Sequence, residues 1–457
     1  MGRIAYAEEH LQEYLSLLDV YSVGLILGQS TEQKDYVVHL ARTLPASNNK
    51  VVEENLIKTT HAVQNTAKSE IKSISDVDVN LVADHAKHVT RMLPGGMQIL
   101  GIFIVSPDNC FSENSCIQKL RSVLSGIHKT LALNDYLFGN SNHEHLILNF
   151  NTSTKQYICK SVETSTGGIL KPADWKFQKK VTKWHHLEST LDLDYLIPIL
   201  DEIHPHTLKR QLQEVIKIIS DMVKTALIII EGEPRSPKDL LEAIIRKKKN
   251  EKHNEEEKEK VLHFGVYLPC DLNIDKENVR ITSCGASMRL VGQLTSRTAV
   301  YQKASIEEAT NAIKQDILRS LYSRLELHWD SIIEDENGSP EENVTLHEPP
   351  RRVFVELPHN KVMLSDYLFP GEGPQESLIV LKELLDLDVQ ENEIQKDAEQ
   401  QVDPSNPLLF SQSEVKATPV EPGKETATSN QFTLYVVGVI ALVIAFVGIL
   451  LHWLNSQ

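Results

Sequence analysis

Residues 88–107, HVTRMLPGGMQILGIFIVSP, decide the fold class. Leu81, Val82, Ala86, Val89 and Met92 recur near helical spacing, so a helix is predicted over 79–92, running into this stretch. Pro94-Gly95-Gly96 breaks it. MQILGIFIV (97–105) is then an unbroken apolar run of strand length, the pattern of a strand buried on both faces. Helix, turn and buried strand together are the unit of a layered α/β or α+β domain.

Working outward, VGLILGQ (23–29) and DYVVHL (35–40) read as two strands around a turn at 30–34. A second helix is predicted over 116–133, and 145–150 with 156–162 alternate like a hairpin. This traffic ends near residue 191, giving a first domain over 1–191. Residues 195–225 carry Leu196, Ile199, Leu200, Leu208, Leu212, Val215 and Ile219, which predicts one or two helices interrupted by Pro198 and Pro205. RKKKNEKHNEEEKEK (246–260) is a solvated charged insert. Strand character returns at 261–268 and 279–294. The best amphipathic helix is 305–327: Ser305 caps it, Glu307 and Glu308 suit its first turn, and Ile306, Ala309, Ile313, Ile317, Leu321 and Leu325 form one stripe. A hairpin (352–357, 362–368) and a helix (377–387) close a smaller α+β domain over 192–387. From 388 to 431 the chain is rich in Glu, Gln, Ser, Thr and Pro, which predicts a flexible acidic linker of roughly 35–40 Å reach.

FTLYVVGVIALVIAFVGILL (432–451) has no charged residue. At 1.5 Å per residue it spans about 30 Å, the thickness of a bilayer's hydrocarbon core. Phe432, Leu434, Val437, Ile440, Ile444, Phe446 and Leu451 are among the side chains expected to face lipid. With no signal peptide at residues 1–18, the layout is that of a tail-anchored protein whose bulk stays in the cytosol. A net charge of −16 argues against nucleic-acid binding, which needs a basic face. It also leaves the apolar helix, not a polybasic patch, to hold the membrane. The five cysteines (Cys110, Cys116, Cys159, Cys270, Cys284) show no C-x-x-C pair and read as free thiols of a reducing compartment. The sequons at Asn151, Asn337 and Asn343 are therefore expected to be unmodified.

Chemistry is sparse. His143-Glu144-His145 followed by Ser153 matches part of the His-x-His, seven residues, Ser-x-x-Asp pattern of JAMM-type zinc isopeptidases. The third ligand fails, because Gln156 stands where a carboxylate is required. A zinc isopeptidase with a non-standard ligand set is thus the competing function. Gly371-Glu372-Gly373-Pro374 lacks a third glycine and a preceding buried strand, so it reads as a turn, not a nucleotide loop. No catalytic, metal-binding or cofactor-binding residue is assigned.

Four blocks carry a resemblance. GLILGQSTEQKDYVVHLART (24–43), HVTRMLPGGMQILGIFIVSP (88–107), KPADWKFQ (171–178) and RRVFVELPHNKVMLSDYLF (351–369) together resemble the odorant-response-abnormal-four-like family. That resemblance implies a protein of the endoplasmic reticulum membrane, single-pass. It would support folding, maturation or trafficking of a subset of G-protein-coupled receptors, its clients. It also implies a partner, the protease specific for the ubiquitin-fold modifier UFM. The same blocks look like an MPN (JAMM-type) domain whose metal ligands are gone. Laid on residues 101–107, the two histidine positions hold Ile104 and Ser106, and the later Ser and Asp positions fall on Asn114 and Ile117. A pseudo-enzyme is implied, with its dead half serving as a docking surface, and a heterodimer with the protease through MPN-type domains.

Overall fold

A computed structural model describes residues 2–44, 73–138, 144–164, 168–200, 208–245, 261–269, 284–331 and 348–399. The architecture is α+β. Residues Met1–Gln401 form one compact unit. The expected anchor at 432–451 and the charged insert at 246–260 lie outside the described residues. Among those described, no helix is long and apolar enough to cross a membrane.

The centre is a closed barrel. Its strands are β1 (Ile4–Glu8), β2 (Ser22–Ser30), β3 (Lys34–Arg42), β4 (Gln98–Ser106), β5 (Glu144–Asn151), β6 (Tyr157–Glu163) and β7 (Lys171–Gln178). Around the barrel the order is β1-β3-β2-β4-β5-β6-β7, and β1 closes the ring by pairing parallel to β7. Strand alternation splits the apolar residues into two sets. Ile26, Leu40, Leu100, Phe103, Val105, Leu146, Leu148 and Phe150 fill the interior, stoppered by Leu11 and Leu15 of α1 (Glu9–Leu17). Val23, Leu25, Leu27, Ile102, Ile104 and Ile147 face outward into a second core. Covering that face are α2 (Val79–Met92) and α3 (Asn114–Ala132). The pattern of residues 97–105 is therefore explained: this strand is walled on both sides.

A second sheet has the order β11-β8-β10-β9. It comprises β8 (Trp184–Leu200), β9 (Leu227–Ile230), β10 (Leu262–Tyr267) and β11 (Cys284–Tyr301). It packs with α4 (Leu208–Thr225) and α5 (Ile306–Ser331) around Leu191, Ile219, Leu262, Ile313 and Leu321. The capping box of α5 forms as its sequence implies: Ser305 Oγ accepts from Glu308 N at 3.2 Å, and Glu308 Oε2 accepts from Ser305 N at 2.8 Å. The hairpin β12 (Arg351–Glu356) and β13 (Met363–Leu368), with α6 (Pro374–Leu385), joins the outward core of the barrel. Val353, Leu364, Leu381 and Leu385 lie in one cluster with Val23 and Ile102.

Two expectations are corrected. The helix predicted from 195 begins at Leu208, because residues 195–200 belong to β8. Tyr195 to Leu200 pair with Leu290 to Cys284 of β11, a ladder that tolerates Pro198 where a helix interior would lose a hydrogen bond. β8 thus runs unbroken through the expected boundary at 191/192. The linker expected from 388 is seated on the fold as far as Glu399, held by backbone and side-chain bonds that no composition count reveals.

Candidate functional site

Of the four positions that the resemblance lays on a metal centre, Ile104 and Ser106 lie at the carboxyl end of β4. Ile104 is wholly buried beneath the helices. Ser106, 1% exposed, donates its hydroxyl to the Asp108 carbonyl at 2.7 Å. It accepts from Asn149 Nδ2 at 2.9 Å and lies 3.1 Å from Cys110 Sγ. Asn149 in turn accepts from Cys110 N at 3.1 Å. Burial pushes the Cys110 thiol up to about 11, so it is no thiolate at neutral pH. Next along β5, Asn151 donates to the Pro107 carbonyl at 2.6 Å and accepts from Ser153 N and Thr154 N. That sequon's amide nitrogen is committed inside the fold. Asn114 and Ile117 start α3, exposed and half-buried, away from Ser106's hydrogen-bond knot. The structure therefore brings Ser106 into a closed polar cluster and does not bring Asn114 or Ile117 to it.

Among the described members of the competing ligand set, His145 is not brought together with Ser153 and Gln156. His145 is buried at the start of β5, and Ser153 and Gln156 lie past its far end. Six residues of strand separate the two ends by about 20 Å. His143 is outside the described residues. Among the described residues no group of three or more His, Cys, Asp or Glu side chains is placed to hold a metal ion.

The charged centre of the molecule is elsewhere, and sequence pattern did not point to it. The turn after α2 lies directly on α5. Gly95 N donates to Asp316 Oδ1 at 2.8 Å and Gly96 N to Gln315 Oε1 at 2.8 Å. A Cβ on Gly95 would sit 1.9 Å from Ala312 O, so only glycine allows this approach. Asp316 receives Arg352 in a fork, at 2.7 and 3.0 Å. Arg352 also donates to Thr295 O and Ser365 Oγ. Arg319 donates to the carbonyls of Leu93, at the C-cap of α2, of Pro94 and Met97 in the turn that follows, and of Leu137. It thereby meets the negative pole of that helix. Burial lowers Arg319 to about 10, which leaves it charged at neutral pH. Burial opposes the charge on Arg352 too, but the Asp316 carboxylate outweighs it and raises the pKa above the usual arginine value. Beside them Arg324 pairs with Glu399 at 2.6 Å. The one sequence signal was Asp316 and Arg319, charges three residues apart on the flank of an apolar stripe.

What this arrangement does chemically is join. Asp316, Arg319 and Arg352 tie α2, α5, β11 and β12–β13, segments far apart in the chain, through bonds sheltered from water. The four sequence blocks noted above map onto this framework: β2–β3, the α2–β4 turn, β7 and β12–β13. The family model described as Odorant response abnormal 4-like matches residues 24–396. Relatives include the protein odr-4 homologues of Mus musculus, 26% identical over 100% of both chains, and of Gallus gallus, 28% identical over 86% of each. Odorant response abnormal protein 4 of Caenorhabditis elegans is 24% identical over 79% of this chain and 72% of its own. Among solved structures, the crystal structure of UfSP from C. elegans is 9% identical with a TM-score of 0.42, covering 85% of this chain and 57% of that one. At that score the likeness carries no statement about chemistry, and the chain spans little more than half of that protein. The sequence match runs instead through barrel, turn, charged centre and final hairpin, and the chain belongs to the Odorant response abnormal 4-like family.

Proposed function

We propose that this chain is a tail-anchored, non-catalytic adaptor of the endoplasmic reticulum that supports maturation and trafficking of a subset of G-protein-coupled receptors. In this reading 432–451 crosses the membrane, and the body faces the cytosol and recruits the UFM-specific protease. The observation that supports it most is the family match over residues 24–396, which runs from β2 to the segment after α6. The barrel with α2 and α3 is read as an MPN-like pseudo-enzyme. Ile104 and Ser106 hold the positions of metal-binding histidines, and Ser106's polar atoms are engaged within the protein. A face relieved of catalysis is free to dock a second MPN-type domain.

The test is affinity capture of the full chain and of a chain ending at Gln431. The protease is expected with both forms, and at the membrane only with the full one. Loss of capture from both removes the recruiting role. Release of the full chain by carbonate washing, or sugar on Asn343, removes the anchor and its orientation. Stoichiometric zinc that disappears in His145→Ala would replace the adaptor with an isopeptidase.

A further inference from the structure

After α6 the chain turns through Asp386, in the left-handed region at φ 53°, and returns across the molecule as far as Glu399. Leu387 and Val389 pack against the barrel's outward core, and Arg297 donates to the Gln395 side chain. Gln395 and Phe354 exchange two backbone hydrogen bonds, at 2.8 and 3.1 Å, a bridge that adds the segment to the edge of β12. Ile394 is buried in the barrel's outward core. The Ala398 carbonyl accepts from Thr295 Oγ1 at 3.0 Å. Glu399 then enters a prepared seat: Oε1 accepts from Arg324 at 2.6 Å and from Thr295 N at 2.8 Å, and Oε2 accepts from Arg352 N at 3.3 Å. Its side chain is 6% exposed and that of Arg324 8%. Beside the seat, Arg297, Pro374, Gln395, Lys396, Asp397 and Ala398 line a cavity of about 730 Å³.

These are the contacts of a bound peptide: a main-chain bridge on a strand edge, one apolar anchor and one carboxylate anchor. The receiving groups belong to α5, β11 and β12, which the Asp316–Arg352 fork holds together without the segment. Asp316 is committed to Arg352, so Glu399 is the counter-charge of buried Arg324. An emptied seat would leave that guanidinium without a counter-charge, though still donating to Ser320 Oγ at 3.2 Å, and the Thr295 N–H unanswered, which selects for another carboxylate.

We propose that Arg324, Thr295, Arg352 and Phe354 form a peptide-binding site, filled here by the chain's own residues 394–399. It accepts in exchange an open segment of a partner carrying an apolar residue and a glutamate at the same spacing. The probe is a synthetic peptide of residues 388–400, titrated against the full chain. The peptide binds the Glu399→Gln chain about tenfold tighter than the unaltered one, because the internal competitor is weakened. The same peptide with glutamine at position 399 binds neither, and Arg324→Met abolishes binding. Equal affinity for both chains, or indifference to the peptide's carboxylate, overturns the site. Hydrogen exchange on the unaltered chain gives a reading that needs no variant. The Gln395 and Thr295 amides exchange about a hundredfold faster than Ile102, through local release of the segment. Exchange of all three together, only on global unfolding, shows a permanent part of the fold and refutes the proposal.

Discussion

Asp316→Asn tests the charged centre with the least change of shape. Asp316 is fully buried and Arg352 is 1% exposed, so solvent cannot take over for either. The carboxylate accepts three bonds, two from Arg352 and one from Gly95 N. Removing one charge of such a pair strands the other and costs about 3–5 kcal/mol. Arg352→Met strands Asp316 instead and falls in the same range. The double variant strands neither, so its cost falls short of the sum of the singles by about 2 kcal/mol. Urea titration followed by the fluorescence of Trp175 and Trp184, both in the folded core, reads these differences. With a slope of about 3 kcal/mol per molar, each single variant lowers the midpoint by about 1–1.7 M. A midpoint for Asp316→Asn within about 0.3 M of the unaltered chain, or strictly additive singles, refutes the claim that this pair holds α5 to the hairpin.

Gly95→Ala drives a Cβ to 1.9 Å from Ala312 O and 2.6 Å from Asp316 N, backbone atoms of a buried helix. It exceeds the usual overpacking cost of about 1–3 kcal/mol. Gly96→Ala, whose Cβ would meet Ala312 Cβ at 3.1 Å, costs less in the same titration, even with the strain of its φ of +81°. His85 donates to Leu384 O at 2.7 Å, accepts from Thr43 Oγ1, and is held by burial at about 4 rather than 6.5. The unfolded chain takes up that proton first, so stability is full above pH 6.5 and falls as pH drops toward 4, by about 3 kcal/mol for this group. His85→Gln, which can still donate to Leu384 O, flattens the pH dependence of the urea midpoint in that window; an unchanged slope contradicts the assignment. Of Cys110, Cys116 and Cys159, native labelling with a maleimide takes Cys116 first, because the other two are buried and burial raises their thiols. Mass spectrometry of the labelled peptides checks the order.

Local elements were legible where one short-range signal decided them. The β2–β3, β5–β6 and β12–β13 hairpins, the helix ahead of Pro94-Gly95-Gly96, and the Ser305–Glu308 cap all follow from spacing over a few residues. Closure of the barrel did not. Ile4–Glu8 is a short strand whose partners lie at Asp174–Gln178, and nothing in five residues announces a parallel mate so distant. The extension of β8 to Leu200 was hidden for a related reason: Leu196, Ile199 and Leu200 fit a helix by spacing, while the deciding fact was a strand at 284–290 waiting to pair. Of the aligned site positions, the apolar identity of Ile104 was plain, but the knot around Ser106 depends on Asn149 and Cys110, brought together only by β4 lying parallel to β5.

The two buried polar clusters differ in what they leave over. At Ser106 the bonds close locally, between a strand end, the loop after it and the neighbouring strand, and the cluster answers its own donors. A metal centre needs the opposite, ligands aimed at one point with a coordination position left open. Along α5 the bonds are long-range and one of them is separable: Asp316 and Arg352 are locked to each other, Asp316 and Arg319 to the turn after α2, while Arg324 is completed by Glu399, which arrives on an extended segment rather than on a helix or sheet. A guanidinium whose partner sits on such a segment is where the fold can change what it holds without coming apart, because the Asp316–Arg352 fork and the Arg319 bonds do not involve that partner.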